Sequence, residues 1–156
     1  MKKLSALVIV LIIISVLAVG GLACGKSDNK STEVPKQVSV EVSNADFQTA
    51  SASNGGVVNK AIEVASGDSL VVTLWSNKTT GYSWSESATI SDPGVLQQTN
   101  HEYVAPETGL MGAPGNEVWT FNALKTGTCQ VRMDYSQPWE GGQKNTYEFL
   151  LTVTVK

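Results

Sequence analysis

The sequence predicts an all-β domain, built as an antiparallel sandwich or a barrel. From Gln37 onward the dominant hydrophobic period is two, which is typical of strands with one buried face. Turn signals rich in Gly, Asn, Asp and Pro interrupt the alternation at short intervals. No convincing amphipathic helix follows the N-terminal apolar segment. About eight short strands separated by turns indicate this fold class.

Each strand is predicted where alternation runs between two turn signals. Val38, Val40 and Val42 alternate with polar residues, whereas residues 44–56 look like a loop that ends in an Asn-Gly-Gly turn. Later boundaries follow from the same signals, such as Ser-Asp-Pro-Gly at 91–94. The predicted strands span 38–42, 57–64, 69–75, 82–87, 95–104, 117–124, 128–135 and 145–155.

Alternation also predicts which side chains form the core. Residues two apart in a strand point to the same face, and three strands carry an apolar face of this kind. These faces are Trp119, Phe121 and Ala123; Cys129, Val131, Met133 and Tyr135; and Tyr147, Phe149, Leu151, Val153 and Val155.

Composition excludes several functional classes. The 156 residues include one histidine and two cysteines, so few side chains are available to build a catalytic triad or a zinc site. Cys129 is predicted to be a buried free thiol because it shares its face with apolar residues, and His101 has no evident base or metal partner. Residues 24–156 carry a formal charge of −5, which argues against nucleic acid. We therefore expect neither an enzyme nor a bound metal or cofactor.

The N-terminus predicts export. Lys2 and Lys3 precede an uncharged run over 4–23, and small residues then lead to Cys24. This arrangement resembles a bacterial lipoprotein signal, which is cleaved before a cysteine that takes the lipid, and the resemblance implies lipidation of Cys24. Gly21 departs from the pattern, which usually has an aliphatic residue there. An uncleaved N-terminal membrane helix is the alternative, since the run approaches the length of a spanning helix.

Three segments follow from these features. Residues 1–23 are the signal peptide or N-terminal anchor, 24–36 are a polar, flexible tether, and 37–156 are the folded domain. Both interpretations of the N-terminus place the domain outside the cytoplasmic membrane and attached to it.

Three long loops are predicted to lie at one end of the domain. Successive antiparallel strands reverse direction, so the loops at 76–81, 105–116 and 136–143 emerge together. The short turns at 91–94 and 125–127 emerge at the opposite end. Because functional residues concentrate on loops carried by a rigid scaffold, the end with long loops is the candidate binding surface.

The three loops carry motifs in a recognisable order. They read Asn-Lys-Thr-Thr-Gly-Tyr over 77–82, Gly-Ala-Pro-Gly over 112–115 and Gln-Pro-Trp over 137–139. The series resembles the chagasin-type inhibitors of papain-like cysteine proteases. That family carries Asn-Pro-Thr-Thr-Gly and an aromatic, then Gly-x-Gly-Gly, then Arg-Pro-Trp or Arg-Pro-Phe. Here Lys78 replaces the proline, Pro114 replaces a glycine, and Gln137 stands in place of the arginine.

The resemblance extends from near Val57 to the C-terminus and implies a fold and a function. It implies an immunoglobulin-like sandwich of about eight strands, acting as a monomer that reversibly and non-covalently occludes a papain-like protease's active-site cleft. A surface-anchored immunoglobulin-like adhesion or binding module that uses the same loops is the alternative. The implied protease contacts are Asn77, Thr79, Thr80, Gly81 and Tyr82; Leu110, Met111, Gly112, Ala113 and Gly115; and Pro138 and Trp139.

Overall fold

Nine strands and one α-helix follow one another in residues 34–108, 110 and 112–156, the part of the chain that the computed structural model describes. The predictions for the signal, Cys24 and nearly all of the tether lie outside these residues. The elements are β1 (Gln37–Val42), α1 (Asn44–Asn54), β2 (Val57–Val64), β3 (Ser69–Ser76), β4 (Ser83–Trp84), β5 (Thr89–Ile90), β6 (Leu96–Val104), β7 (Gly115–Ala123), β8 (Gly127–Ser136) and β9 (Tyr147–Val155).

The strands form two sheets that enclose one apolar core. One sheet has the order β1-β3-β7-β6, and the other has β2-β9-β8-β4 with β5 also paired to β8. The predicted all-β, immunoglobulin-like sandwich is confirmed. The strand predicted over 82–87 is only two residues long, as β4, and a further short strand, β5, was not predicted; both pair with β8.

Two strand pairs at the sheet edges are parallel, although the rest are antiparallel. Strand β1 runs parallel to β3, and β2 runs parallel to β9. Strand β1 belongs to one sheet, helix α1 follows it, and the next strand, β2, belongs to the other sheet. Because β1 and β2 lie in different sheets, neither has to pair with its neighbour in sequence.

The prediction of a loop over 44–56 is wrong, because most of this segment is helix α1. Ser43 and Asp46 form a capping box in which the Ser43 amide donates to Asp46 Oδ2 at 2.9 Å. Hydrogen bonds from Ser43 hold the pKa of the Asp46 carboxyl below its ordinary value. Gly55 then ends the helix in a left-handed conformation.

Helix α1 lacks the repeating apolar face that identifies most helices in a sequence. Its buried residues are Phe47 and Ala50. Phe47 is fully buried, and its ring centroid lies 5.1 Å from that of Trp84 and 5.2 Å from that of Tyr147. One aromatic anchor therefore holds the helix over the core. No helix in the described part of the chain is long and apolar enough to cross a membrane.

The predicted core is confirmed. Cys129 is buried and free, and burial raises the pKa of its thiol. Tyr147 differs slightly, since it is half-buried at the start of β9 and packs against the core. The predicted side chains that are buried are Trp119, Phe121, Ala123, Cys129, Val131, Met133, Tyr135, Phe149, Leu151, Val153 and Val155.

Candidate functional site

The first loop, residues 77–82, is a short 3-10 turn stabilised by its own polar groups. Asn77 Oδ1 accepts hydrogen bonds from the Thr79 amide at 3.2 Å and the Thr79 hydroxyl at 2.6 Å. The Thr80 hydroxyl donates to the Asn77 carbonyl oxygen at 2.6 Å. The Gly81 amide closes the turn on the Lys78 carbonyl. The loop therefore presents a compact tip whose hydroxyl protons are already donated within the loop.

The last loop, residues 137–146, touches the first through Trp139. Gly81 has φ +82°, and a Cβ there would lie 2.7 Å from Trp139 Cη2. Glycine is therefore required at 81 for the turn and for the close approach of the indole. Trp139 remains 50% exposed, so the indole contacts the first loop and still offers surface to a partner.

Backbone hydrogen bonds and one lysine order the last loop. The Gln137 amide donates to the Gln143 carbonyl at 2.8 Å, and the Gly142 amide donates to the Trp139 carbonyl at 3.2 Å. The Lys144 ammonium donates to the carbonyl oxygens of Gln137 and Trp139. This loop is a closed turn that holds Trp139 in place, with Pro138 exposed beside it.

The middle loop, residues 105–114, reaches the first loop through Gly112. The Asn77 side-chain amide donates to the Gly112 carbonyl at 3.4 Å, and the Ala113 amide donates to the Leu110 carbonyl at 3.2 Å. Leu110 is 69% exposed. Met111 lies outside the described residues.

Gly115 does not lie in the middle loop, so that part of the prediction is wrong. It is the first residue of β7 and is buried. A Cβ there would lie 2.3 Å from the Val104 carbonyl oxygen and 2.7 Å from the Tyr103 hydroxyl. Gly115 therefore permits close packing beneath the loop instead of presenting its own surface.

The prediction that the three loops share one end of the domain is confirmed. The first loop contacts the middle loop through Asn77 and Gly112, and the last loop through Gly81 and Trp139. We call this surface, made by residues 77–82, 105–108, 110, 112–114 and 137–146, the loop pole.

A tyrosine stack supports the loop pole from below. Tyr82 is half-buried, its ring lies 5.5 Å from that of Tyr135, and its hydroxyl donates to Gln143. The Asn77 amide donates to the Tyr135 hydroxyl at 3.0 Å. Burial raises the pKa of Tyr135, so this hydroxyl stays protonated well into alkaline solution. Tyr82 thus links the first and last loops to the core.

The buried carboxylate of Glu117 was missed by the sequence analysis. Its side chain is fully buried and accepts hydrogen bonds from the Ser76 hydroxyl at 2.8 Å and the Trp84 amide at 3.2 Å. His101 Nε2 lies 2.9 Å from the other carboxylate oxygen, so the histidine has a partner after all. Alternation in 117–123 was the available signal, because it places Glu117 on the same face as Trp119 and Phe121.

A comparison with protein families assigns the chain. Residues 63–153 match the family described as chagasin family peptidase inhibitor I42. The protein is a member of the chagasin family. Membership makes it a peptidase inhibitor and not an enzyme. The match begins within β2, so β1 and α1 precede the region that the family describes.

Individual relatives agree with this chagasin-family assignment. The chain is 32% identical over 90 residues to chagasin from Trypanosoma cruzi, a match that covers 56% of this chain and 82% of chagasin. The crystal structure of EhICP2, a cysteine protease inhibitor from Entamoeba histolytica, superposes with a TM-score of 0.56 at 16% identity, covering 78% of this chain and 97% of EhICP2. PbICP-C, solved in complex with falcipain-2, gives 0.50 at 18% identity, covering 76% and 98%. At these identities the structural matches show a shared fold.

Proposed function

We propose that this domain inhibits papain-like cysteine proteases reversibly, without a covalent step, by filling the active-site cleft with the loop pole. The observation that carries the proposal is the contact of the three motif-bearing loops at one end of the sandwich. Family membership supports it, as do the cysteine protease inhibitor EhICP2 and the falcipain-2 complex of PbICP-C.

The first loop is suited to enter a narrow cleft. Thr79 and Thr80 are exposed, and their hydroxyls bond to Asn77 within the loop. A loop that is already ordered loses little conformational entropy on binding. We infer that residues 79–81 lie over the protease's catalytic cysteine in a turn that offers no well-aligned scissile bond.

The other two loops supply apolar contacts on either side. Among the described residues of the loop pole, Trp139 and Leu110 are the large exposed apolar side chains. Exposed tryptophans often dominate the binding energy of an interface, and Pro138 adds apolar surface next to Trp139. Gly112 and Ala113 give the middle loop a small profile. In this arrangement Asn77, Tyr82 and Gly115 act chiefly by fixing the shape of the loops.

The test is inhibition of papain by a soluble variant that begins at Gly25. We expect micromolar protein to inhibit cleavage of a fluorogenic peptide, with activity recovering on dilution. Trp139→Ala should weaken inhibition by more than about 1 kcal/mol. Leu124→Ala is a matched control, since Leu124 is 47% exposed just after β7, at the opposite end. Unchanged papain activity would contradict the proposal and favour a binding module with a different partner.

We further propose that the inhibitor domain is a monomer held outside the cytoplasmic membrane by its N-terminus. The support is the order of Lys2, Lys3, the apolar run over 4–23 and Cys24. A lipid on Cys24 would anchor the chain after cleavage, and an uncleaved helix would anchor it otherwise. Mass spectrometry of the membrane-bound protein tests the choice, because Cys24→Ser abolishes processing only on the lipoprotein route.

A further inference from the structure

The buried carboxylate of Glu117 holds both ends of the first loop. Ser76, which donates to it at 2.8 Å, precedes the loop, and Trp84, whose amide donates at 3.2 Å, follows it. His101 adds a contact at 2.9 Å from β6. Because buried carboxylates are costly unless fully hydrogen-bonded, this arrangement strongly favours one geometry for the base of the loop.

Lys78 extends the same contacts into the loop itself. Its ammonium lies 3.9 Å from Glu117 Oε2 and 4.6 Å from the ring centroid of Tyr103. Both contacts favour a cation, the first by charge attraction and the second by the quadrupole of the ring. Tyr103 in turn packs over Gly115, where β7 begins. A single side chain thus connects the first loop to the strands that carry the middle loop.

We propose that Lys78 is a positioning residue whose ammonium, held between Glu117 and Tyr103, orders the first loop for protease binding. The proposal rests on the proposed function for its effect on inhibition, but the order of the loop is a property of the free domain. Lys78 occupies the position at which the resembling motif has proline. In this chain a charge contact therefore takes the role that a rigid ring would have.

A contact of this kind is sensitive to salt. The Lys78 side chain is 39% exposed, so dissolved ions reach the ammonium and screen its attraction to Glu117. A proline would order the loop without that sensitivity. Residue 78 is the first of the 3-10 turn, where proline costs no intrahelical hydrogen bond. Asn77, with φ −127° and ψ 87°, lies outside the helical region that a following proline disfavours.

The experiment uses the soluble protein that begins at Gly25. It compares Lys78→Met and Lys78→Pro with the unchanged sequence, which is called the unchanged domain below. Lys125→Met, in the turn at the opposite end, controls for the lost charge. We expect Lys78→Met to speed amide hydrogen exchange at 79–81 several-fold and to raise the papain inhibition constant about tenfold through faster dissociation. Lys78→Pro should keep slow exchange and tight inhibition. Raising the salt to about 0.5 M should loosen the loop only in the unchanged domain and in Lys125→Met.

Two results would overturn the proposal. One is exchange at 79–81 that is the same in Lys78→Met as in the unchanged domain. The other is an additive double-mutant cycle, in which Lys78→Met is measured with Tyr103 present and in a Tyr103→Leu background. If Lys78→Met weakens inhibition equally with and without Tyr103, the lysine acts independently of the ring that is proposed to hold it, and the proposal fails. If papain is not inhibited at all, the proposed function fails, while hydrogen exchange in the free domain still decides the role of Lys78.

Discussion

Replacing Gly81 with alanine tests whether the first and last loops are held together by the contact between a backbone turn and an indole. Gly81 has φ +82°, and the added Cβ would lie 2.7 Å from Trp139 Cη2. Carbon atoms in contact prefer about 3.5–4.0 Å, so the indole must move. The variant therefore changes two things, the backbone energy at 81 and the position of Trp139.

Gly67 separates these two effects. It has φ +93°, a Cβ added there would meet no atom within 4 Å, and it lies in the turn between β2 and β3 at the opposite end. A left-handed residue with a Cβ costs about 1–2 kcal/mol, so both variants should lose roughly that much stability. Only Gly81→Ala displaces Trp139. If Trp139 contributes about 2 kcal/mol to binding, Gly81→Ala should raise the papain inhibition constant about 30-fold.

Urea unfolding followed by tryptophan fluorescence gives the stability, and fluorogenic peptide cleavage by papain gives the inhibition constant. We expect similar unfolding midpoints for the two variants and a clear difference in inhibition. Equal inhibition constants for Gly81→Ala and Gly67→Ala would refute the reasoning, because the contact between the loops would then be irrelevant to binding.

Three further predictions concern the stability of the fold. Glu117→Ala leaves buried donors without an acceptor and should lower the free energy of unfolding by about 3 kcal/mol, measured by urea unfolding. A loss under about 1 kcal/mol would show that water replaces the carboxylate. Ser43→Ala removes the cap of α1 and should cost about 1 kcal/mol, whereas Ser53→Ala at the other end of the helix should cost much less. Burial raises the pKa values of Cys129 and Tyr135, so both groups stay neutral in the folded state while the unfolded chain ionises. The stability that these two groups contribute should therefore be full below about pH 8 and be lost as the pH rises towards about 11, with a smaller loss in Cys129→Ala. A flat profile over this range would contradict the buried thiol.

The loop pole could be predicted because it follows from direction reversals along the chain. Residues 76–81, 105–116 and 136–143 each separate strands that run in opposite directions, whichever strands pair with each other. Their motifs could therefore be assigned to one end before any contact was known. The contacts themselves, such as that between Gly81 and Trp139, could not be predicted, because they depend on how each loop folds back over the core.

Helix α1 could not be predicted from the sequence for a different reason. Its signals are a capping box at Ser43 and Asp46 and a glycine at 55, which are weak evidence without an apolar stripe. The main tertiary contact of the helix is Phe47, which packs on two aromatic side chains from β4 and β9. A helix that buries only two side chains, Phe47 and Ala50, leaves almost no periodic pattern in the sequence.

The sequence by itself determined most of the strands, the faces that the long strands bury and the end at which the long loops emerge. These features are local, because the pleat of a strand imposes a period of two on every buried face. Only the tertiary structure decided the environment of Glu117, whose partners Ser76 and Trp84 are 41 and 33 residues away along the chain. A carboxylate is stable in a core only when several donors bond to it, and here those donors are distant in the sequence. A periodic pattern does not predict which distant residues will form these hydrogen bonds.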